Sequence, residues 1–303
     1  MKVLITGGTG LLGKSLIEEA PQGASLVATA LNDPTAIIPA SCAGAPLDVR
    51  AAAAVRTLVR TVNPDVIIHT ASIGSVDYAQ RHPEEARAVN VEGTRHVLEA
   101  AGAVGAHVLF ISSNAVFDGT RAPYREEDPV CPVNTYGHLK VEAERLVTAC
   151  TRLPTTIVRP ILMYGWNHPA ERVNPVTWIL RELERGATVP VVTDTYTNPL
   201  WALSCAQAIW RIVTLRATGT FHVAGRDRVN RFEFAVETAR AFGLDAGRLQ
   251  PVTSDYFPEI APRAPDTSYD ASKMTRVLGL RPVGLREGLG AMRRTRLAPV
   301  PSP

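Results

Sequence analysis

Short aliphatic and β-branched runs alternate over the first 160 residues with stretches whose apolar positions recur every three or four residues. That is the pattern of strands feeding helices in a parallel sheet. Val3 to Thr6 reads as the first strand and Leu11 to Ala20 as the first helix, stopped by Pro21 and Gly23. Ser25 to Thr29 is a second strand, and a third precedes the stretch PLDVR. Ala51, Ala54, Val55, Leu58 and Val62 lie at helical spacing, and Asn63-Pro64 ends that helix before the buried strand Asp65 to His69. Pro83 opens another helix at its first turn, with Ala86, Val89, Gly93, Val97 and Ala100 on one stripe. Val108 to Ser112 (strand), Asn134 to Ala149 (helix) and Thr155 to Arg159 (strand) complete the series.

Past Arg159 Pro and Gly become frequent and the runs shorten. Helices are expected near Asn174–Arg185, Ala202–Leu215, Arg231–Phe242, Ala271–Leu278 and Leu285–Arg294. The division is therefore a doubly wound α/β domain over 1–160, a smaller mixed substrate-binding region over 161–297 that partly returns to the main sheet, and a disordered tail over 298–303. No internal repeat is present.

Composition narrows the function. Of 303 residues 46% are hydrophobic and 20% charged, enough for a large core. The net charge is +3 with Lys and Arg dispersed, which points away from nucleic acid; Arg293, Arg294 and Arg296 read as a solvated face. No apolar run reaches the roughly 18 residues of a membrane span, and the chain opens directly into a strand without a signal-like leader. Cys42, Cys131, Cys150 and Cys205 are scattered, with no C-x-x-C pair and no His at ligand spacing, so no metal site is expected and a reducing, cytoplasmic setting fits.

Between the first strand and first helix, TGGTGLLGKSL carries Gly7, Gly10 and Gly13 as G-x-x-G-x-x-G. Glycines there allow a tight turn and close approach of backbone to a pyrophosphate, while the helix N-terminus offers N–H donors and a positive dipole. The fold expected is a Rossmann-type doubly wound parallel sheet binding a dinucleotide, with Gly7, Thr9, Gly10, Leu11 and Leu12 around it. NAD usually meets an acidic residue at the end of the second strand. Here that place falls near Ala30, and no Arg stands ready there for a 2′-phosphate; the missing acid leans towards NADP(H) over NAD(H). Asp48, followed by Val49, either bonds the adenine amino group or caps the next helix.

Tyr136 and Lys140 stand as YGHLK, four residues apart on one helix face. A cation beside a phenol favours the phenolate and makes Tyr a usable proton donor near neutral pH. Ser113, ending HVLFISS at the carboxyl edge where open α/β sheets bind ligands, could hold a substrate oxygen that gains negative charge. His69 reads as a packed side chain and His138 as facing away. Asp118-Gly119 reads as a turn, and Met163, Tyr164 and Trp166 follow the sixth strand where substrate would lie.

With these residues the chain resembles the extended short-chain dehydrogenases, and within them the dTDP-4-dehydrorhamnose reductases. The carrying stretches are ITGGTGLLG, NPDVIIHTAS, VDYAQRHPEEARAVNVEGT, FISSNAVFDGTRAPYREEDPVCPVNTYGHLK and RPILMYG. The resemblance implies an NAD(P)H-dependent reductase of a keto group on a nucleotide-activated sugar, with Ser113, Tyr136 and Lys140 as catalytic triad. It implies that Thr70, Ala71 and Ser72 line the cofactor, as do Arg159 and Pro160, with Asn90 bracing the site. Trp201 and Arg263 fall where relatives form the sugar-nucleotide pocket, and an Arg there either clamps a diphosphate or forms a surface ion pair. The reductases read S-T-D-Y-V-F-D-G where this chain has Ser112 to Gly119 as SSNAVFDG, and an expected Trp is Leu162. Asn114 removes a carboxylate and Ala115 an aromatic, which argues against dTDP-4-dehydrorhamnose itself as substrate. The same stretches resemble the regulatory β subunit of methionine adenosyltransferase. A sugar-nucleotide epimerase, a non-catalytic NADP-binding subunit and a homodimer all stay open.

Overall fold

The computed structural model describes residues 1–168, 172–258 and 261–297. The expected tail at 298–303 lies outside the described residues, as does the side chain of Arg296.

Seven parallel strands form the central sheet: β1 (Lys2–Thr6), β2 (Ser25–Ala30), β3 (Ala43–Pro46), β4 (Val66–His69), β5 (His107–Ile111), β6 (Thr155–Pro160) and β7 (Gly219–Val223). Their order across the sheet is β7-β6-β5-β4-β1-β2-β3. The direction of winding reverses between β1 and β4, so a crevice opens at the carboxyl ends beside them. Strands such as VIIH and HVLFI are buried on both faces, as crossover helices require. Alternate residues feed two cores. Val3, Ile5, Ile68 and Leu109 pack against Leu12, Leu16 and Ile209, while Leu4, Ile67, Val108 and Phe110 pack against Val55, Val97 and Val147.

The second half of the chain re-enters this sheet. Helix Ala202–Leu215 packs in the first core, its Trp210 Nε1 donating to the Leu16 carbonyl at 2.9 Å, and β7 then extends the sheet beyond β6. A third core, built on Tyr164, Ile179, Leu180, Phe234, Leu289 and Met292, belongs to the smaller region. There Val189–Val192 pairs with Leu249–Val252.

The helix opened by Pro83 is not continuous. It runs over Pro83–Arg87, widens into a π turn over Ala88–Glu92, and resumes over Gly93–Val104. The extra residue in that turn brings Asn90 and Val91 inward together, and such bulges concentrate at functional sites.

Candidate active site

A single cleft of about 1370 Å³ runs from the glycine turn along the carboxyl edge of the sheet to the smaller region. At its first end Gly7 has φ +69° and an added Cβ would lie 2.8 Å from the Ala71 backbone nitrogen, so β1 and β4 close on each other through that glycine. At Gly10 an added Cβ would meet nothing nearer than the Gly7 carbonyl oxygen at 3.5 Å. Helix Leu11–Glu18 begins there without a side-chain cap and without an acid in its first turn. The cradle therefore offers open space, backbone donors and no competing carboxylate, which fits a dinucleotide pyrophosphate. Thr9, Leu11 and Leu12 line the same end, with Ala30, Leu31, Asp48 and Val49 beyond.

Asp48 is not the helix cap. Ala51 is, and the Asp48 carboxylate instead receives the Arg50 backbone N–H at 2.9 Å and its guanidinium at 2.8–3.0 Å. Arg50 also lines the cleft. Sequence reading, which sought an arginine at the end of the second strand, did not consider Arg50, which reaches the cleft from the loop after the third strand and is paired with Asp48.

Thr70, Ala71 and Ser72 line the cleft. Asn90 does not: 1% exposed, it stands behind them, accepting from Ser72 Oγ at 3.1 Å and from the Ile73 N–H at 2.8 Å. Its role is to hold the loop after β4. His69 is a satisfied core residue between Thr6 Oγ1 (2.7 Å) and Thr94 Oγ1 (3.2 Å), pushed down to about 3 by burial and by the charge of Lys140.

Ser113, Tyr136 and Lys140 line the same cleft, Ser113 bonding the Tyr136 hydroxyl and Lys140 Nζ standing 5.7 Å from the Tyr136 ring centroid. Helix Thr135–Ala149 starts at Asn134, whose side chain accepts from the Gly137 N–H at 2.9 Å and donates to the Pro262 carbonyl at 2.9 Å. A Cβ at Gly137 would lie 2.1 Å from the Ala115 carbonyl oxygen, so the first turn of this helix packs directly on the turn that follows Ser113. Ser113 Oγ accepts from the Ala115 N–H at 3.2 Å and donates to Asn114 Oδ1 at 3.3 Å, while Asn114 Nδ2 donates to Thr267 Oγ1 at 2.6 Å.

Lys140 is 3% exposed and donates to the Ile111 carbonyl at 2.9 Å; burial pulls its ammonium down to about 8, against the opposing charge of Glu144. The phenol of Tyr136 is displaced upward, because burial dominates. The groups that pull it back are the hydroxyls of Ser113 and Ser72 and the charge of Arg172, while Lys140 stands 5.7 Å from the ring centroid. The expectation was a phenol lowered by the neighbouring cation; the net displacement is upward.

Pro160 lines the cleft, but Arg159 does not. Its guanidinium turns to the far side of β6, where it meets the Glu144 carboxylate at 2.7 and 2.8 Å, both residues 5% exposed. Of the residues after β6, Leu162 and Met163 face the cleft. Tyr164 is 1% exposed in the third core, and Trp166 donates to the Met292 carbonyl at 2.8 Å. Trp201 also lies outside the cleft lining, and His138 is exposed.

The far wall carries three arginines, Arg172, Arg231 and Arg263. Arg263 is held by Asp77 at 2.8 Å. Among the described residues no ion pair engages Arg231, and desolvation, aided by the charge of Arg263, draws its guanidinium down to about 10. An unpaired, desolvated cation facing a cleft is suited to an anionic ligand group. Sequence reading missed Arg231 because it looks like an ordinary first residue of an amphipathic helix.

Residues 1–296 match the RmlD substrate binding domain. The chain belongs to that family. It is 32% identical to a dTDP-4-dehydrorhamnose reductase of Streptomyces griseus, over 99% of this chain and 97% of the relative. It is 30% identical to the methionine adenosyltransferase 2 subunit beta of Bos taurus, over 95% and 87%. Among solved structures, a dTDP-4-dehydrorhamnose reductase from Bacillus anthracis in complex with NADP superposes with a TM-score of 0.84 at 27% identity, covering 97% of this chain and 99% of that one.

Proposed function

We propose that this member of the family is an NADPH-dependent reductase of a keto group on a nucleotide-activated deoxysugar. The observation that carries the reading is that Ser113, Tyr136 and Lys140 line one continuous cleft together with the glycine cradle and with Arg231 and Arg263. A cofactor pyrophosphate fits one end, a sugar-nucleotide diphosphate fits the other, and the hydroxyl groups face the space between. Similarity to the Streptomyces griseus and Bacillus anthracis reductases supports it.

A bound reduced nicotinamide would supply the hydride to the carbonyl carbon. Ser113 donates a hydrogen bond to the carbonyl oxygen as negative charge builds on it. Tyr136 gives its phenolic proton to that oxygen, leaving an alcohol. Lys140, fixed by the Ile111 carbonyl, presents positive charge that steadies the phenolate left behind. Arg231 and Arg263 hold the diphosphate and so set the distance of the sugar from Tyr136. The absence of a carboxylate at Ala30–Leu31 and the presence of Arg50 at that end favour NADPH over NADH.

Purified protein is assayed for NADPH and NADH oxidation against a panel of nucleotide-linked 4-keto-6-deoxysugars. We expect turnover with NADPH preferred, and a loss of about a hundredfold or more in Tyr136→Phe with cofactor affinity retained. Full turnover in the Phe variant removes the proton-donor assignment. Cofactor binding with no reduction of any keto sugar, together with tight association with another enzyme, favours a non-catalytic subunit.

A further inference from the structure

The largest buried charge cluster lies behind the cleft, and the chemistry described so far leaves it unused. Helix Thr135–Ala149 places Glu144 one turn beyond Lys140 on the same face. Lys140, Glu144 and Arg159 are 3%, 5% and 5% exposed. An ammonium and a carboxylate so disposed in a medium of low dielectric attract each other strongly and would ordinarily pair. They do not. Both Glu144 oxygens are engaged by Arg159, Nε at 2.8 Å and Nη2 at 2.7 Å, while Lys140 donates to the Ile111 carbonyl on the cleft side. Arg159 is itself fixed from behind by the Glu126 carbonyl at 3.4 Å, by His222 Nε2 at 3.3 Å and by the Phe117 ring, 5.3 Å away.

We propose that the Glu144–Arg159 pair is a positioning device for Lys140: Arg159 saturates the buried carboxylate, so the ammonium stays turned to the cleft while still feeling the negative charge behind it. The proposal rests on the reductase reading of the cleft. The groups facing Lys140 are few. Its own helix contributes Tyr136 and Glu144, β4 contributes His69, β5 the Phe110 ring at 5.0 Å, and β6 Arg159. Behind Arg159 stand His222, Tyr269 and Glu126. Burial, its largest cause in each case, pushes His69 and His222 to about 3 and Tyr269 well above its usual range, so all three stay neutral across the working pH range. The charge on Lys140 is therefore governed by burial, which pushes it down, and by Glu144, which pushes it back up.

Opposite removals then have opposite effects. Glu144→Gln takes away the attraction and leaves Arg159 uncompensated; Arg159→Met leaves the carboxylate facing Lys140 alone. The alkaline limb of the kcat/KM profile for NADPH-dependent reduction should move down in E144Q and up in R159M, each by about one pH unit. R159M should also raise KM for NADPH as the ammonium is drawn off the Ile111 carbonyl. Because one unpaired buried charge can prevent folding, the double variant E144M/R159M is included, since apolar replacement of a buried pair is commonly tolerated. Its limb should fall between E144Q and wild type.

Lysine-selective NMR titration of the same proteins reads Lys140 without turnover; the chain has four lysines, and Lys140→Arg identifies the signal. The expected order of Lys140 titration midpoints is R159M, wild type, the double variant, then E144Q. Midpoints that coincide with wild type in folded E144Q and in the double variant overturn the proposal, leaving the pair a structural link only. If wild type reduces no keto sugar, the functional reading fails, while the NMR order still decides whether the pair sets Lys140.

Discussion

At the scale of single residues, the account depends on protonation states with definite signs. Reduction requires Tyr136 to hold its proton and Lys140 to be charged. Burial lowers Lys140 from an ordinary 10.5 to about 8 and raises Tyr136, so the lysine is the first of the two to change as pH rises. We expect kcat/KM to be level below this point and to fall as pH passes through about 8, with the limb belonging to the coupled Tyr136–Lys140 pair. A profile flat to pH 10 contradicts this. That Ser113, Tyr136 and Lys140 would meet in one cleft was readable from the sequence, because residue type, helical spacing and the strand end place them together. The direction of Arg159 was not. Its neighbour Pro160 faces the cleft, and in a strand adjacent side chains alternate between faces. Without the partner Glu144, sequence gives no sign of which face a charged residue takes.

At the scale of elements, the joint between helix Thr135–Ala149 and the Ser113 turn is the most demanding contact in the site. Gly137→Ala places a methyl group where the Ala115 carbonyl stands, 2.1 Å away, so helix and turn must separate. We expect a loss of about 1–3 kcal/mol in unfolding free energy and a larger proportional loss in kcat than in cofactor affinity. Gly102→Ala is the control. It lies in helix Gly93–Val104 with its nearest neighbour at 3.8 Å, and should gain stability by up to about 1 kcal/mol with activity unchanged. Chemical denaturation of both variants checks the contrast. The helices from Ala202, Arg231 and Leu285 were legible because apolar residues recur along them at helical spacing, and the Arg231 helix also carries a capping box on Asn230. Strand Gly219–Val223 was hidden, since GTFHV is short and opens on glycine and threonine; pairing with β6 makes it a strand. The π turn at Ala88–Glu92 was hidden too, because one inserted residue shifts a helical stripe by less than sequence periodicity resolves.

At the scale of the molecule, four cores among the described residues, one of them built on Ala79, Ala86, Val91, Tyr136 and Leu139, support a single continuous cleft. Polar ties cross from the sheet domain to the smaller region at Asn114–Thr267, Asn134–Pro262 and Asp77–Arg263. The wall proposed to anchor the substrate is thereby tied to the turn that follows Ser113. Arg231→Ala should raise KM for the nucleotide sugar by about tenfold or more, with kcat changed much less, since a diphosphate contact is shared by ground and transition states. An equal fall in kcat with KM unchanged places Arg231 elsewhere in the mechanism. Rossmann topology was legible at this scale from the strand–helix alternation and the glycine turn. The contour of the cleft beyond Ser113 was not, because Ala115, Leu162, Met163 and Thr267 line it from distant parts of the chain.

The central claim is net hydride transfer from cofactor to sugar, and the most direct measurement is isotopic. NADPH carrying deuterium at the transferable position of its nicotinamide is turned over with a nucleotide-linked keto sugar, and the product is examined by mass spectrometry and NMR. The account predicts one deuterium on the new carbinol carbon of each product molecule, and one NADPH oxidised for each sugar reduced. Product formed without label, or formed in excess of NADPH oxidised, contradicts it and indicates a cofactor that is recycled in place.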